Sequence, residues 1–347
     1  MNDILPVMDY NLADALFEIE TELLQRIIKN LAEAPDAAQG SVSRWQIVQL
    51  RRLETYRLQN ARIYEKRFEK MNADIIKALR IAYDNGASAE EKRILRAIKK
   101  GHPAHRGKTN YVKLNERKLD ALINATINDL KKAEHAVLRQ ADDIYRKTIF
   151  KSAVYLNSGT ASYTQAVDMA VRDYAVKGIQ CITYKNGAIH TISDYADMAL
   201  RTANKRAYIT GEGAKRQEWG EHLVIMNRRN GDPCVKCIPW VVQILIDDVY
   251  SGGTRADGPY TLLSTAIATG LYHPRCRDVH TTYFPGITTM PERMTASQIK
   301  HAENSRLAQE RKTYCARMHK RYDRASKLML DDENRKHYAA LAKKWEE

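Results

Sequence analysis

The chain has 347 residues, 44% of them hydrophobic and 28% charged, and its 56 Lys+Arg against 42 Asp+Glu give a net charge of +14 at pH 7. These proportions exclude a disordered tail, a collagen-like chain and a small disulfide scaffold, and the length suits two or three domains, or one core with helical extensions. The apolar runs, such as Pro239 to Ile246 with Gln243 inside it, are far below the roughly 18 residues a membrane span needs, and the N-terminus lacks the basic start and apolar stretch of a secretion signal. A chain made and kept in the cytoplasm is expected.

From Asn11 to about Leu31 the residues Leu12, Leu16, Ile19, Leu23, Ile27 and Leu31 recur at steps of three and four, the signature of one apolar helix face. Pro35 and Gly40 break the next stretch, and Ser43 with Gln46 reads as a capping box that opens a second helix to about Met71. Helices near Ala73 to Tyr83 and Ala89 to Ile98 are expected beyond it, with Asn85-Gly86 ending one of them. A basic loop, Lys99 to Lys113, has breakers at Gly101, Pro103 and Gly107 and reads either as a solvated loop or as a phosphate grip. The helical pattern resumes at Asn115 and runs to about Ala153, as one helix or two.

Near Ser158-Gly159 the composition changes. Ser162 and Gln165 form a capping box, and Gly178 is placed to close the helix that it opens. Ile179 to Tyr184 and Ala188 to Ile192 read as a hairpin around Asn186-Gly187, and Ser193 as the cap of a helix to about Ile209. Strand-like segments follow at His222 to Met226, Trp240 to Ile246 and Val279 to Tyr283. From Thr295 to Glu347 the pattern is again helical and dense in charge, with Tyr314, Met318, Tyr322, Leu328 and Leu330 supplying an apolar edge that docks either onto a partner or back onto the chain. The fold class is therefore mainly α with a smaller α+β domain. Residues 1–155 form a helical region, 156–290 an α+β domain with short antiparallel strands, and 291–347 a charged helical tail.

Cys234-x-x-Cys237 and His273-x-x-Cys276 together offer three thiolates and an imidazole, the donor set of a closed structural zinc site. Zinc would staple a loop-rich region there and turn its binding free energy into folding free energy. Buried thiols with a surface histidine, or a disulfide, are the other readings of the same residues, and His280 or His222 can replace His273 as a ligand. A catalytic metal would need an open coordination position and a general base, and no such base is visible. Asp247-Asp248 reads as a solvated strand end. Gly211-Glu-Gly213 lacks the Lys-Ser/Thr of a phosphate cradle. Cys181 and Cys315 read as packing residues.

The run Gly159 to Thr202, with Ser162-Tyr163, Ala166-Val167, Gly178-Ile179, Tyr184 and Arg201-Thr202 in order, resembles the minor capsid protein 2 family of tailed bacteriophages. Gly40 to Leu53 around Trp45-Gln46, His222 to Val249, Gly270-Leu271, Cys276-Arg277 and Phe284-Pro285-Gly286 extend the likeness over roughly residues 1–290. The chain has Asp278 where that family usually has a His, and it carries the pair Cys234 and Cys237 before Trp240. With His273-Pro274 and Cys276-Arg277, that pair resembles the related F-type head morphogenesis proteins of phage Mu. The resemblance implies a structural minor head protein in the virion interior, beside the portal protein or the major capsid protein, acting in head assembly, DNA packaging or release. It gives the positive charge a partner: double-stranded DNA, held by non-specific phosphate contact. The alternative is a zinc-dependent enzyme acting on nucleic acid or delivered with the genome.

Overall fold

A computed structural model of the protein describes residues 12–33, 41–103, 112–159, 161–226, 236–274, 276 and 278–346. In chain order the helices are α1 (Leu12–Ala32), α2 (Val42–Lys99), α3 (Val112–Asn157), α4 (Tyr163–Lys177), α5 (Ile192–Glu218), α6 (Leu263–Ala268), α7 (Ala296–Leu328) and α8 (Asp332–Lys343). The strands are β1 (Gln180–Thr183), β2 (Ile189–Thr191), β3 (Leu223–Met226), β4 (Ile244–Ile246), β5 (Thr261–Leu262) and β6 (His280–Thr282). The molecule is mainly helical with a small strand content, the class its patterning implied. Among the described residues no helix is long and apolar enough to cross a membrane. The described chain forms two compact units. The first comprises residues 73–128 and 198–309, and the second residues 12–72, 129–197 and 310–346.

In the second unit, the expected face of α1 is buried, with Leu16, Ile19, Leu23, Ile27 and Leu31 at 2% exposure or less. The N-terminal part of α2 buries Trp45, Gln49, Leu53, Tyr56, Tyr64 and Phe68 at the same three-and-four spacing. Trp45 Nε1 donates to Tyr163 Oη at 3.2 Å, the Tyr163 hydroxyl donates to the Leu31 carbonyl, and Tyr145 Oη donates to Gln49 Oε1 at 3.1 Å. The aromatic residues thus bury their rings while satisfying their polar ends.

The helix ends follow side-chain chemistry. Ser41, rather than Ser43, caps α2 by accepting from the Arg44 N–H. The Ser162–Gln165 box opens α4 and Gly178, at φ 81°, closes it, both as expected. Strands β1 and β2 pair antiparallel. Their turn is a three-residue loop: Gly187 N donates to the Tyr184 carbonyl, Tyr184 N donates to the Ala188 carbonyl, and Gly187 takes φ 79°. A two-residue turn would need positive φ at Asn186 as well, which it does not have. Thr191, not Ser193, caps α5 by accepting from the Asp194 N–H.

Ser193 instead donates through both its N–H and its hydroxyl to the buried carboxylate of Glu20. Burial pushes the Glu20 carboxyl up to about 7, against the pull of Arg324, whose guanidinium lies 3.5 Å away. Arg324 also donates to the Ala175 and Val176 carbonyls at the end of α4. Asp168 accepts from the backbone N–H groups of Leu330 and Asp331 and from the Asn334 side chain. The charged tail therefore docks back onto its own chain, anchored on buried charges of α1 and α4.

In the first unit, β5-β4-β3-β6 form one sheet. β3 pairs antiparallel with β4, Val224 opposite Leu245, and with β6, Val224 opposite Thr282, while β4 and β5 run parallel. The parallel pair adds to the expected antiparallel strands, and the long connection through Asp247–Tyr260 makes it possible. Strand β3, interior to the sheet, is buried at three of its four residues, Val224, Ile225 and Met226.

Two expected helix ends are absent, for one reason. Asn85-Gly86 does not end a helix, and α5 continues through Gly211 and Gly213 to Glu218. At these glycines another backbone comes within reach. A Cβ on Gly86 would stand 2.1 Å from the Tyr208 carbonyl oxygen, one on Gly211 2.0 Å from the Tyr83 carbonyl oxygen, and one on Gly213 2.3 Å from Tyr250 Cβ. Gly86 and Gly211 serve close approach of α2 and α5, and Gly213 that of α5 and the chain at Tyr250, which offsets their helix penalty of about 1 kcal/mol each.

Candidate metal centre

Cys237 precedes a 3-10 turn at Ile238–Trp240, and its carbonyl accepts from Trp240 N at 2.9 Å. His273 and Cys276 lie across a second turn, in which Cys276 N donates to the His273 carbonyl at 2.9 Å. The two turns bring the donor atoms of Cys237, His273 and Cys276 within 4.8 Å of one another. Cys234, the fourth residue of the expected set, lies outside the described residues.

The donor set suits a zinc ion. Two thiolates on tetrahedral zinc sit ~2.3 Å from the metal and so about 3.8 Å from each other, and the Cys237 and Cys276 sulfurs are 3.5 Å apart. His273 Nδ1 lies 2.8 Å from the Pro274 carbonyl oxygen, a contact that orients the ring. Both cysteines belong to an apolar cluster with Val224, Met226, Leu245, Leu263, Ala266 and Leu271, which keeps water from the sulfurs. That packing is also what buried thiols without a metal require.

Two residues that no pattern in the sequence singles out support the second turn. Lys205, on α5 and 6% exposed, donates from Nζ to the Cys276 carbonyl at 3.2 Å and to the Asp278 carbonyl. Its ammonium lies 4.1 Å from the centre of the Tyr272 ring, a cation–π contact. Desolvation lowers the Lys205 pKa, while Cys276 and Asp278 favour its charge. Tyr272 takes φ 58°, unusual for a bulky side chain, at a cost on the order of 1–3 kcal/mol. The strained backbone turns the phenol to within 2.5 Å of His280 Nδ1.

From His280 a buried ion network runs through the unit. His280 Nε2 is 2.8 Å from Arg216 Nη2, and Arg216 donates to Asp247 Oδ2 from Nε at 3.2 Å and from Nη2 at 2.9 Å. Arg216 Nη1 lies 3.8 Å from Glu90 Oε2, and Arg93 pairs with both Glu90 and Glu212. The Thr282 hydroxyl donates to Glu90. Three buried carboxylates thus share two guanidiniums, and burial raises the Glu212 carboxyl. Burial and the neighbouring Arg216 hold the His280 imidazole well below its ordinary value, so it is neutral.

These contacts decide several sequence-level alternatives. His280 engages Arg216 and Tyr272 through its two nitrogens, and His222 Nδ1 faces Ser251 Oγ at 3.2 Å; the trio forms with His273 instead. Asp247 is not a solvated strand end. It is fully buried on Arg216, and only Asp248, which accepts from Ser264 N, has that character. Gly211-Glu212-Gly213 is helical and its carboxylate is ion-paired, so it cradles no phosphate. In the basic loop, His102 Nε2 lies 2.5 Å from Glu221 Oε1, while 104–111 lie outside the described residues.

The described residues thus hold long helices, two small sheets, buried ion pairs and a thiol–imidazole cluster, and sequence comparison gives their family. The chain belongs to the phage minor capsid protein 2 family, whose model matches residues 7–347. It is therefore a structural protein of the phage capsid, found in the virion. No curated protein and no solved structure matches the chain.

Proposed function

We propose that the protein is a low-copy structural component of the head interior, associated with the portal protein or the major capsid protein. It meets packaged DNA through its basic faces and acts in head assembly, DNA packaging or release. Membership of the capsid family carries this reading, and the net charge of +14 supports the DNA contact. Co-expression with the portal protein and the major capsid protein of the same phage tests it. The protein is expected to co-sediment with assembled heads and to be lost from them when the portal protein is omitted. Retention at full level without the portal protein assigns the docking to the major capsid protein. Failure to sediment with heads in either case refutes the reading.

Cys234, Cys237, His273 and Cys276 are the ligands of a structural zinc ion in this reading. The observation behind it is the convergence of Cys237, His273 and Cys276. Bound zinc would supply a four-coordinate staple between the two turns, with three thiolates and one imidazole closing the shell. Lys205 holds the Cys276–Asp278 carbonyls, and its charge offsets the net negative charge of a three-thiolate site. Elemental analysis of the purified protein is expected to give near one zinc per chain, lost together with stability in Cys234→Ser and Cys276→Ser. Metal-free protein in which both variants fold normally would leave the cysteines as buried packing residues.

A further inference from the structure

We propose that the solvent face of α3 over residues 131–151 is the surface along which the protein lies on duplex DNA. This inference rests on the DNA contact proposed above and names where it occurs. Residues seven apart return to nearly the same face of an α-helix. Lys132, Arg139 and Arg146 keep that spacing and are exposed, and Lys131, Lys147 and Lys151 flank them, exposed as well. The opposite side of the same stretch is buried, at Ala133, Val137, Ala141, Ile144, Thr148 and Ser152. The second unit's own core therefore fixes the helix and leaves its cationic side to solvent.

The spacing suits a phosphate backbone. At 1.5 Å per residue the three central cations stand about 10 Å apart, and residues 131–151 extend about 30 Å, close to the ~34 Å of one DNA turn. The stretch has six Lys and Arg against three acids. Of those acids Glu134 accepts from Asn72 at 3.0 Å, and Asp142 and Asp143 are half-buried. The exposed pair of Lys132 with Asp129, at 3.1 Å, is the sort that contributes little and yields to a phosphate. Phe150 and Val154, 51% and 65% exposed, stand on either side of Lys151 in sequence and add apolar surface at this end of the face. None of these groups reads base edges in a pattern, so binding is expected to be independent of sequence.

Fluorescence anisotropy of a labelled duplex of about 40 base pairs with the full chain, across a salt series, tests the assignment. Lys132→Gln/Arg139→Gln/Arg146→Gln changes only exposed side chains, and circular dichroism checks that its helicity is kept. Removing three phosphate-binding cations should flatten the log–log salt slope by about 3. The control Arg311→Gln/Lys312→Gln/Lys336→Gln, equally exposed on α7 and α8, should flatten it by less than about 1. Equal flattening by the two variants would overturn the assignment to α3 while leaving DNA contact intact. No salt-dependent binding by the parent chain would remove the DNA reading itself. A variant that keeps its salt slope but no longer sediments with heads would make this face a protein contact and end the inference.

Discussion

Arg216→Met is expected to destabilise the first unit by about 3–5 kcal/mol. Arg216 is wholly buried, holds Asp247 through two N–H groups, faces His280 and lies near Glu90. A methionine of similar length fills the volume but leaves the Asp247 carboxylate with the Tyr250 N–H and no cation in contact. A buried charge stripped of its partner is among the few single changes that reach this magnitude. Arg216→Lys keeps the charge but offers a compact ammonium in place of a fork, and should fall between the two. Urea unfolding followed by the fluorescence of Trp219, which sits in the same unit's apolar cluster with Ile94 and Phe284, measures the loss. Adding Asp247→Leu to Arg216→Met should recover part of it, because the orphaned carboxylate is then gone. A single-variant loss below about 1 kcal/mol would show that the ions do not act as a unit.

Gly211→Ala should be at least comparably damaging in kind, and it separates two accounts of the long helices by sign. An isolated helix gains about 1 kcal/mol when an interior glycine becomes alanine. Here the new methyl would meet the Tyr83 carbonyl oxygen at 2.0 Å, and that oxygen belongs to the backbone of α2 and has no rotamer to yield. Relief requires the two helices to part, which takes packing from both, at a cost of about 3 kcal/mol or more. Gly86→Ala meets Tyr208 in the same way and should behave alike. Gly187→Ala is the contrast, since it has open space around it but φ 79°, and should cost only about 1–2 kcal/mol. Stabilisation by Gly211→Ala in thermal melts would mean that α2 and α5 do not touch there.

What the sequence made legible was local. The face of α1, the Ser162–Gln165 box, the Gly178 stop and the β1–β2 hairpin each depend on residues within a turn or two of one another, so their signals survive without knowledge of the fold. Spacing likewise singled out Cys237, His273 and Cys276, because each short motif folds its own turn. The two expected helix ends that are absent have a common source. Gly86 and Gly211 carry the same letter whether they end a helix or admit a neighbouring backbone, and only the partner stretch of chain, about 125 residues away in sequence, distinguishes the cases. Lys205, Tyr272, Arg216 and Glu90 were invisible for a related reason. Their roles come from meeting one another, and no periodicity marks a lysine destined to hold two carbonyl groups.

The tail clamp also bears on how the protein is made. Glu20 leaves the ribosome 304 residues ahead of its partner Arg324, and Asp168 waits for Leu330, Asp331 and Asn334. Pairings so far apart along the chain close slowly and late. The second unit therefore cannot finish folding before the tail emerges, and until then α1 and α4 present uncovered apolar and charged surface to the cell. A nascent chain in that condition is a natural client for chaperones, and truncation before residue 324 would leave Glu20 buried without its cation or exposed without its core.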